Sequence, residues 1–279
     1  MLQSMVAATE RVFKFLEERE EDIEVENPIS TKDLKGNVTF DHVHFGYSKD
    51  KTIINDFNAQ IKHGQKIAIV GPTGAGKTTI VKLLMRFYDV NSGKILIDGH
   101  NIKEFSRGDL RKNFGMVLQD TWLFGGTIKE NIKYSKPEAS DAQVCDAAKA
   151  AHVHHFIKTL PKAYDMVINE ESSNISAGQK QLLTIARVIL LDPKILILDE
   201  ATSSIDTRTE IEIQSAMDNL MKGRTSFIIA HRLSTIKNAD IILVMDHGDI
   251  VEQGTHEELL EKGGFYSELY NSQFEECEE

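Results

Sequence analysis

Cysteine is scarce in this sequence, long apolar runs are missing, and basic charge is outweighed by acidic. The two cysteines, Cys145 and Cys277, show no metal or redox spacing, so free thiols in a reducing compartment are expected. The longest apolar stretches include Ile189-Leu190-Leu191 and Ile195-Leu196-Ile197-Leu198, separated by Asp192-Pro193. They fall far short of the roughly 20 residues a membrane-crossing helix needs. Glu10, Arg11 and the acidic residues from 17 to 22 break up any apolar segment near the start, so no secretory leader is expected. A formal net charge of -11 argues against a surface that coats nucleic acid, though not against a local basic groove. What is there is ordinary for a globular protein: 41% hydrophobic and 27% charged residues, in a 279-residue chain long enough for a real core.

One stretch departs from that ordinary background, Gly71-Pro72-Thr73-Gly74-Ala75-Gly76-Lys77-Thr78. It follows the apolar run 66–70 and leads into Thr79-Ile80-Val81-Lys82-Leu83-Leu84-Met85, giving strand, glycine loop and helix. The spacing matches the G-x-x-x-x-G-K-[ST] phosphate-binding pattern. Glycines let the backbone curl around an anion, because positive φ carries no steric cost there. The helix that starts at the loop turns its unpaired N–H groups and positive dipole end toward the same anion. Lys77 can reach the β- and γ-phosphates, and the Thr78 hydroxyl can bind magnesium. A nucleoside triphosphate is the ligand this pattern predicts.

Around that loop the chain is organised as follows. Residues 2 to about 21 read as an amphipathic helix, with Val6, Val12, Phe13 and Leu16 at helical spacing, and 22–35 as a linker. From residue 37 the pattern changes to strands at 38–45, 57–61 and 93–99, mixed around the strand–loop–helix unit. Helical periodicity dominates 120–190, which reads as a mainly helical subdomain inserted between strands. An unbroken apolar strand over 194–198 then ends in Asp199-Glu200, as in a parallel sheet covered on both faces. Thr207 and Glu210 suggest a capping box for a helix to about 221. A buried strand over 225–230, a hairpin over 241–251, and two short helices beginning near 256 and 265 complete the chain. The prediction is an α/β fold with a three-layer core, an antiparallel β subdomain and an inserted α-helical subdomain.

Asp199 stands where a strand end can hold magnesium, and Glu200 can polarise an attacking water as a general base. Ser173-Asn174-Ile175-Ser176-Ala177-Gly178-Gln179 runs directly into an apolar helix and makes a second helix start suited to gripping phosphate. As Ile-Ser-Ala-Gly-Gln it resembles the LSGGQ signature of ATP-binding cassette (ABC) proteins, and it stands a short way before the 194–200 strand. The resemblance covers residues 35 to about 274 and implies the P-loop NTPase fold. Under it, Tyr47 is similar to the aromatic that stacks on adenine, and Gln119 to the glutamine that contacts magnesium or water. Asp206 falls in the segment called the D-loop, and His231 resembles the switch histidine that contacts the γ-phosphate. Nucleotide binding then falls to Tyr47 and to Gly71, Pro72, Thr73, Gly74, Ala75, Gly76, Lys77, Thr78 and Thr79. Catalysis falls to Glu200, His231 and Gln119, and Mg2+ to Thr78, Gln119 and Asp199.

The resemblance also implies a partner. Two ABC nucleotide-binding domains pair head to tail, so Ser176, Ala177, Gly178 and Gln179 act in trans on the other subunit's ATP. Residues 123–132, 229–236 and 248–256 look like the exporter class, and residues 1–34 like the tail of a missing transmembrane helix followed by a linker. The expected chain is thus an ABC nucleotide-binding domain over 35–279 at the cytoplasmic face of a membrane, its transmembrane domain lying elsewhere. Ile175 and Ala177 replace Leu and Gly of the signature while Ser176, Gly178 and Gln179 remain. The segment 168–172 departs from the Gly-containing exporter pattern, although Glu170 fits an acidic residue that touches the membrane domain.

A soluble ABC ATPase acting on nucleic acid or the ribosome is the alternative, and a single cassette with net charge -11 weighs against it. A small-molecule kinase or GTPase leaves the 175–179 helix start and the 229–236 segment without a role. His152, His154 and His155 lack a Cys or carboxylate at ligand spacing and read as the exposed side of a helix.

Overall fold

The structure, a computed structural model, describes residues 2–18, 21, 24–48, 50–118, 121–169, 174–199, 206–230 and 232–274. Helix α1 (Leu2–Leu16) comes first, followed by β1 (Val38–Phe45), β2 (Ile54–Ile61), β3 (Lys66–Val70) and α2 (Lys77–Leu84). Next are β4 (Ser92–Ile97), β5 (His100–Asn101), α3 (Arg107–Lys112) and β6 (Phe114–Val117). Then come β7 (Gly126–Thr127), α4 (Ile128–Lys133), α5 (Asp141–Ala150), α6 (His154–Thr159), β8 (Val167–Ile168) and α7 (Ala177–Leu191). The last part holds β9 (Ile195–Asp199), α8 (Thr207–Met221), β10 (Thr225–Ile229), α9 (Leu233–Lys237), β11 (Ile241–Asp246), β12 (Asp249–Gly254), α10 (His256–Lys262) and α11 (Phe265–Phe274).

Ten strands form one sheet in the order β5-β4-β1-β2-β12-β11-β3-β10-β9-β6. From β11 to β6 all neighbours are parallel, and β3 lies within that block. Its strands are almost wholly apolar because side chains of period two must bury on both faces. Ile67 and Ile69 enter one core with Ile195, Ile197, Phe227 and Leu243, while Ala68 and Val70 enter the other with Leu196, Leu198, Ile228 and Val244. Helix α2 packs into the first core, and α7 and α8 into the second, which gives the three layers. Each fully buried Ile or Leu contributes about 1.5–3 kcal/mol relative to exposure. A one-residue slip in any of these strands would exchange the two sets.

The antiparallel strands join the block through a thin seam. Strands β12 and β2 share a single register pair, Asp249 with Asp56. The Asp56 N–H donates to Asp249 Oδ1 at 3.1 Å and Asn55 Nδ2 donates to the His247 carbonyl at 2.7 Å. Beneath the seam Phe40 meets Phe57 edge-on at 4.9 Å and Phe227 at 6.2 Å, so aromatic packing ties the two parts together.

Three expectations are corrected here. Helix α1 ends at Leu16 rather than near 21, and its apolar residues Val6, Val12, Phe13 and Leu16 are all more than half exposed. Helix α8 is capped by Asp206, whose carboxylate accepts from the Thr209 N–H at 3.0 Å, so Thr207 is its first helical residue and not its cap. The helical stretch also contains the two-stranded sheet β7–β8, too short to register as a period. No helix among the described residues is long and apolar enough to cross a membrane.

Entry into β1 is fixed by Asp98, in the turn after β4. Its carboxylate accepts from the backbone N–H of Lys35 (2.6 Å), Gly36 (3.1 Å) and Asn37 (3.0 Å), and from Asn37 Nδ2 (2.6 Å). Burial alone would raise this carboxyl, but the donors together outweigh it and hold it below the usual aspartate range. A depressed folded pKa contributes stability above the unfolded value of about 3.9, lost as pH falls through the folded value. Asp98→Asn, which tolerates the left-handed backbone at φ 50°, should therefore cost about 1–3 kcal/mol at neutral pH in denaturant unfolding. The difference from wild type should shrink below about pH 4.

Candidate functional site

The loop after β3 has little steric freedom. Gly71 lies at φ 147°, and a Cβ there would stand 2.1 Å from the Met245 carbonyl oxygen. Gly76 lies at φ 103° and forms the N-cap of α2 without any side-chain cap. A Cβ on Gly76 would come within 2.8 Å of Ile54 Cδ1. Gly74 is also left-handed, at φ 87°, but in open space. The Gly248 N–H donates to the Ala75 carbonyl at 3.1 Å, stitching the loop to the β11–β12 turn. Pro72 and Thr73 complete the curl, and the Ala75 N–H returns to the Pro72 carbonyl. Because α2 starts on a glycine, no side chain competes for its first-turn N–H groups, the arrangement an anion requires.

Lys77 folds back over this hollow. Its Nζ donates to the Gly71 carbonyl at 2.6 Å and to the Pro72 carbonyl at 3.0 Å. Burial pushes its pKa down, while the carboxylate of Asp199 at the tip of β9 pulls it back up. That coupling brings together two residues more than a hundred positions apart in sequence. Thr78 next to Lys77 is exposed, whereas Thr79 is buried and its hydroxyl lies 3.3 Å from the Tyr47 hydroxyl. Tyr47, 49% exposed, stacks edge-on against Phe45 and Tyr88 at 5.0 Å each. Lys82 Nζ lies 6.0 Å from the Tyr47 ring centroid. A half-exposed aromatic face thus sits over the first turn of α2.

The exposed hydroxyl of Thr78 and the half-buried carboxylate of Asp199 are hard oxygen donors, a set that suits Mg2+. Among the described residues, no three His, Cys, Asp or Glu side chains gather as a metal cluster. The histidines of 152–155 do not share one exposed helix face. His152 precedes α6 and its Nε2 lies 3.0 Å from Ser215 Oγ, while His154 turns inward with Nδ1 2.8 Å from the Tyr164 hydroxyl. Gln119, Glu170, Glu200 and His231 lie outside the described residues, as do 201–205 ahead of Asp206.

Ser176 caps α7. Its hydroxyl accepts from the Gln179 N–H at 3.3 Å, and Gln179 Oε1 accepts from the Ser176 N–H at 3.0 Å. Ala177 is exposed and Gly178 buried in the first turn. A cleft of about 140 Å³ at the phosphate loop is lined by Gly71, Pro72, Thr73 and Lys77, and among its lining residues none comes from 174–179. The structure brings together Tyr47, residues 71–79 and Asp199, and keeps the 176–179 helix start apart from that cleft. Sequence reasoning missed Tyr88 beside Tyr47, and Tyr266 and Tyr270, which line the cleft from α11. The cluster Arg86-Phe87-Tyr88 just after α2 is the signal that points to Tyr88.

Known proteins resemble this chain. The family model described as ABC transporter matches residues 54–203. An ABC transporter ATP-binding protein of Bacillus subtilis, YfiC, is 54% identical over 98% of this chain and 45% of its own length. The fatty acid ABC transporter ATP-binding/permease protein of Mycobacterium bovis is 55% identical over 96% of this chain and 42% of its own length. A solved structure of a bacterial Atm1-family ABC exporter with ATP bound superposes with a TM-score of 0.87 at 42% identity, covering 99% of this chain and 48% of that one. The chain therefore spans a little under half the length of the relatives it matches.

Ser176→Ala removes one of the two capping-box bonds and should destabilise the fold by about 1 kcal/mol, read from the midpoint of urea unfolding.

Proposed function

The chain belongs to the ABC transporter family, and from that premise we propose that it is the ATP-binding and ATP-hydrolysing part of an exporter. The observation that carries this reading is Lys77, half-buried across the glycine loop and within electrostatic reach of Asp199. Phosphate oxygens would take the place of the Gly71 and Pro72 carbonyls on its ammonium group, and the first-turn N–H groups of α2 would complete the cradle. The exposed face of Tyr47 would stack on adenine, which favours ATP over a ligand recognised by its phosphates alone.

Mg2+, when bound, would supply neutralisation of phosphate charge. Thr78 and Asp199 would hold it, with Gln119 as the third ligand. Glu200, one residue beyond the β9 tip, would take the proton of the attacking water, and His231 would hold the γ-phosphate edge. Both catalytic roles rest on sequence position relative to β9 and β10. Ser176, Ala177, Gly178 and Gln179 would serve the nucleotide of a second such domain, and the separation of α7 from the phosphate-loop cleft supports that assignment. Asp206 would lie beside the shared interface.

Export requires a membrane-embedded part, and relatives named as ATP-binding/permease proteins join the two in one chain. The described fold would then sit at the cytoplasmic face of a membrane and turn ATP-driven closure and reopening into movement of the attached part. One relative is named as a fatty acid transporter and another for multidrug export. The transported molecule would be selected by the membrane part. No nucleic-acid role is proposed, in keeping with the net charge of -11.

Glu200→Gln tests the assignment. Turnover of Mg-ATP should fall by at least about 100-fold, while ATP affinity stays within about twofold and ATP drives a dimer visible by light scattering. Near-normal turnover would remove Glu200 as the base. Chelating Mg2+ with EDTA should abolish hydrolysis in wild type.

A further inference from the structure

The cleft at the phosphate loop has a wall that nothing in the proposed chemistry uses. One side is Gly71, Pro72 and Lys77, and another is Ala230, just after β10, with Ile236 of α9. The third is α11, through Tyr266, Leu269 and Tyr270. Position 231 lies in sequence between Ala230, which lines the cleft, and α9, whose Ile236 also lines it.

Helix α11 is held firmly for a segment so near the end of the described chain. The Glu252 carboxylate of β12 accepts from the N–H groups of Phe265 at 3.2 Å and Tyr266 at 2.8 Å, capping the helix with charge at its positive end. Gly264 admits that carboxylate because a Cβ there would meet Glu252 Oε1 at 1.9 Å. Tyr266 is 2% exposed, and its hydroxyl lies 2.7 Å from His256 Nδ1 of α10. Burial raises the tyrosine pKa and lowers that of the histidine, so the pair is a neutral hydrogen bond at physiological pH. From this anchor, one helical turn on, Tyr270 stands half-buried, 5.4 Å from the His256 ring and 6.2 Å from that of Tyr266.

Tyr270 also faces α9, the helix that carries Ile236. Lys237, the last residue of α9, lies with its ammonium 6.0 Å from the Tyr270 ring centroid. At the opposite end of α9, Arg232 pairs with Glu210 of α8 at 3.1 Å. Helix α9 is thus pinned at both ends, to α8 and to α11. Between α9 and the phosphate loop lies the cleft, and Tyr270 is one of the side chains that line it.

We propose that Tyr270 is a positioning residue for ATP hydrolysis: its ring, anchored through α11, props α9 at a fixed spacing from Lys77 and so sets the width of the γ-phosphate end of the site. The inference rests on the function proposed above. It requires no contact between Tyr270 and nucleotide. Removing the ring leaves the phosphate cradle and the face of Tyr47 intact, so ATP binding survives while the alignment needed for hydrolysis is lost. Misplacement of a reacting group by about 1 Å costs up to about 100-fold in rate.

The test compares wild type, Tyr270→Ala and Tyr270→Phe in the 279-residue chain by steady-state Mg-ATP hydrolysis, ATP binding and thermal melting. Tyr270→Ala should lower kcat about tenfold or more with KM and ATP affinity within about twofold. Tyr270→Phe, which keeps the ring on Lys237, should recover at least about half of the wild-type kcat. A Tyr270→Ala protein with wild-type kcat overturns the inference, as does a Phe variant as slow as Ala. A rise in KM that accounts for the whole defect also overturns it. Should Tyr270→Ala fail to fold, Lys237→Ala removes the same contact from α9 and should lower kcat about threefold at unchanged KM; an unchanged kcat in that variant overturns the inference. An inert wild-type chain would instead overturn the proposed function itself, so the two failures are distinguishable.

Discussion

The Met245 carbonyl oxygen stands where a side chain on Gly71 would have to go. From that contact the geometry of the phosphate loop follows. Strand β11 runs parallel to β3 and in register with it, Val244 beside Val70, so the end of one strand presses on the loop that follows the other. The Gly248 N–H and the Ala75 carbonyl close the same junction one turn further out. The loop is therefore clamped before any ligand arrives, and its N–H groups need little reorganisation to receive an anion. Lys77 donates to the Gly71 and Pro72 carbonyls, which keeps a half-buried ammonium satisfied.

Two helix starts in this chain carry phosphate-binding residue types, and they differ in kind. Helix α2 begins on Gly76 with no side-chain cap, leaving its first turn available to an anion. Helix α7 begins with a closed capping box in which Ser176 and Gln179 satisfy each other's backbone. The Ser176 hydroxyl accepts in that box and keeps its own proton to donate. Under the proposed function such a helix start would receive a phosphate brought to it on another surface; it does not line the cleft beside Lys77. The proposed head-to-tail pairing would bring the two kinds of helix start together across two domains.

Most of the fold was legible because buried strands and glycine turns leave strong marks. The strands read at 66–70, 194–198 and 225–230 match β3, β9 and β10 to within a residue at either end, since double-sided burial forces apolar sequence. Boundaries were less legible where local and tertiary effects compete. Thr207 carried the residue types of a cap, but Asp206 one place earlier takes the role with a charged acceptor. The β7–β8 pair is only two residues per strand, below the reach of any periodicity. At the site, the loop motif, the family resemblance and the acidic end of the 194–198 strand pointed to residues 71–79 and Asp199, which the fold brings together. The contribution of Tyr266 and Tyr270 was illegible, because their approach to Gly71 depends on the Glu252 cap and the His256 bond, both tertiary.

The central claim is that the phosphate loop of one chain works with the 176–179 helix start of another. Mixing two inactive variants tests it directly: Lys77→Ala, with an intact signature, and Gly178→Asp, with an intact loop. If the elements act in trans, the mixed dimer contains one site with both parts intact. Combining the two proteins should then restore ATP hydrolysis to up to about a quarter of wild type, since half the dimers are mixed and each holds one intact site. If the mixture stays as inactive as its components while wild type turns over, loop and signature act within one chain and the account fails.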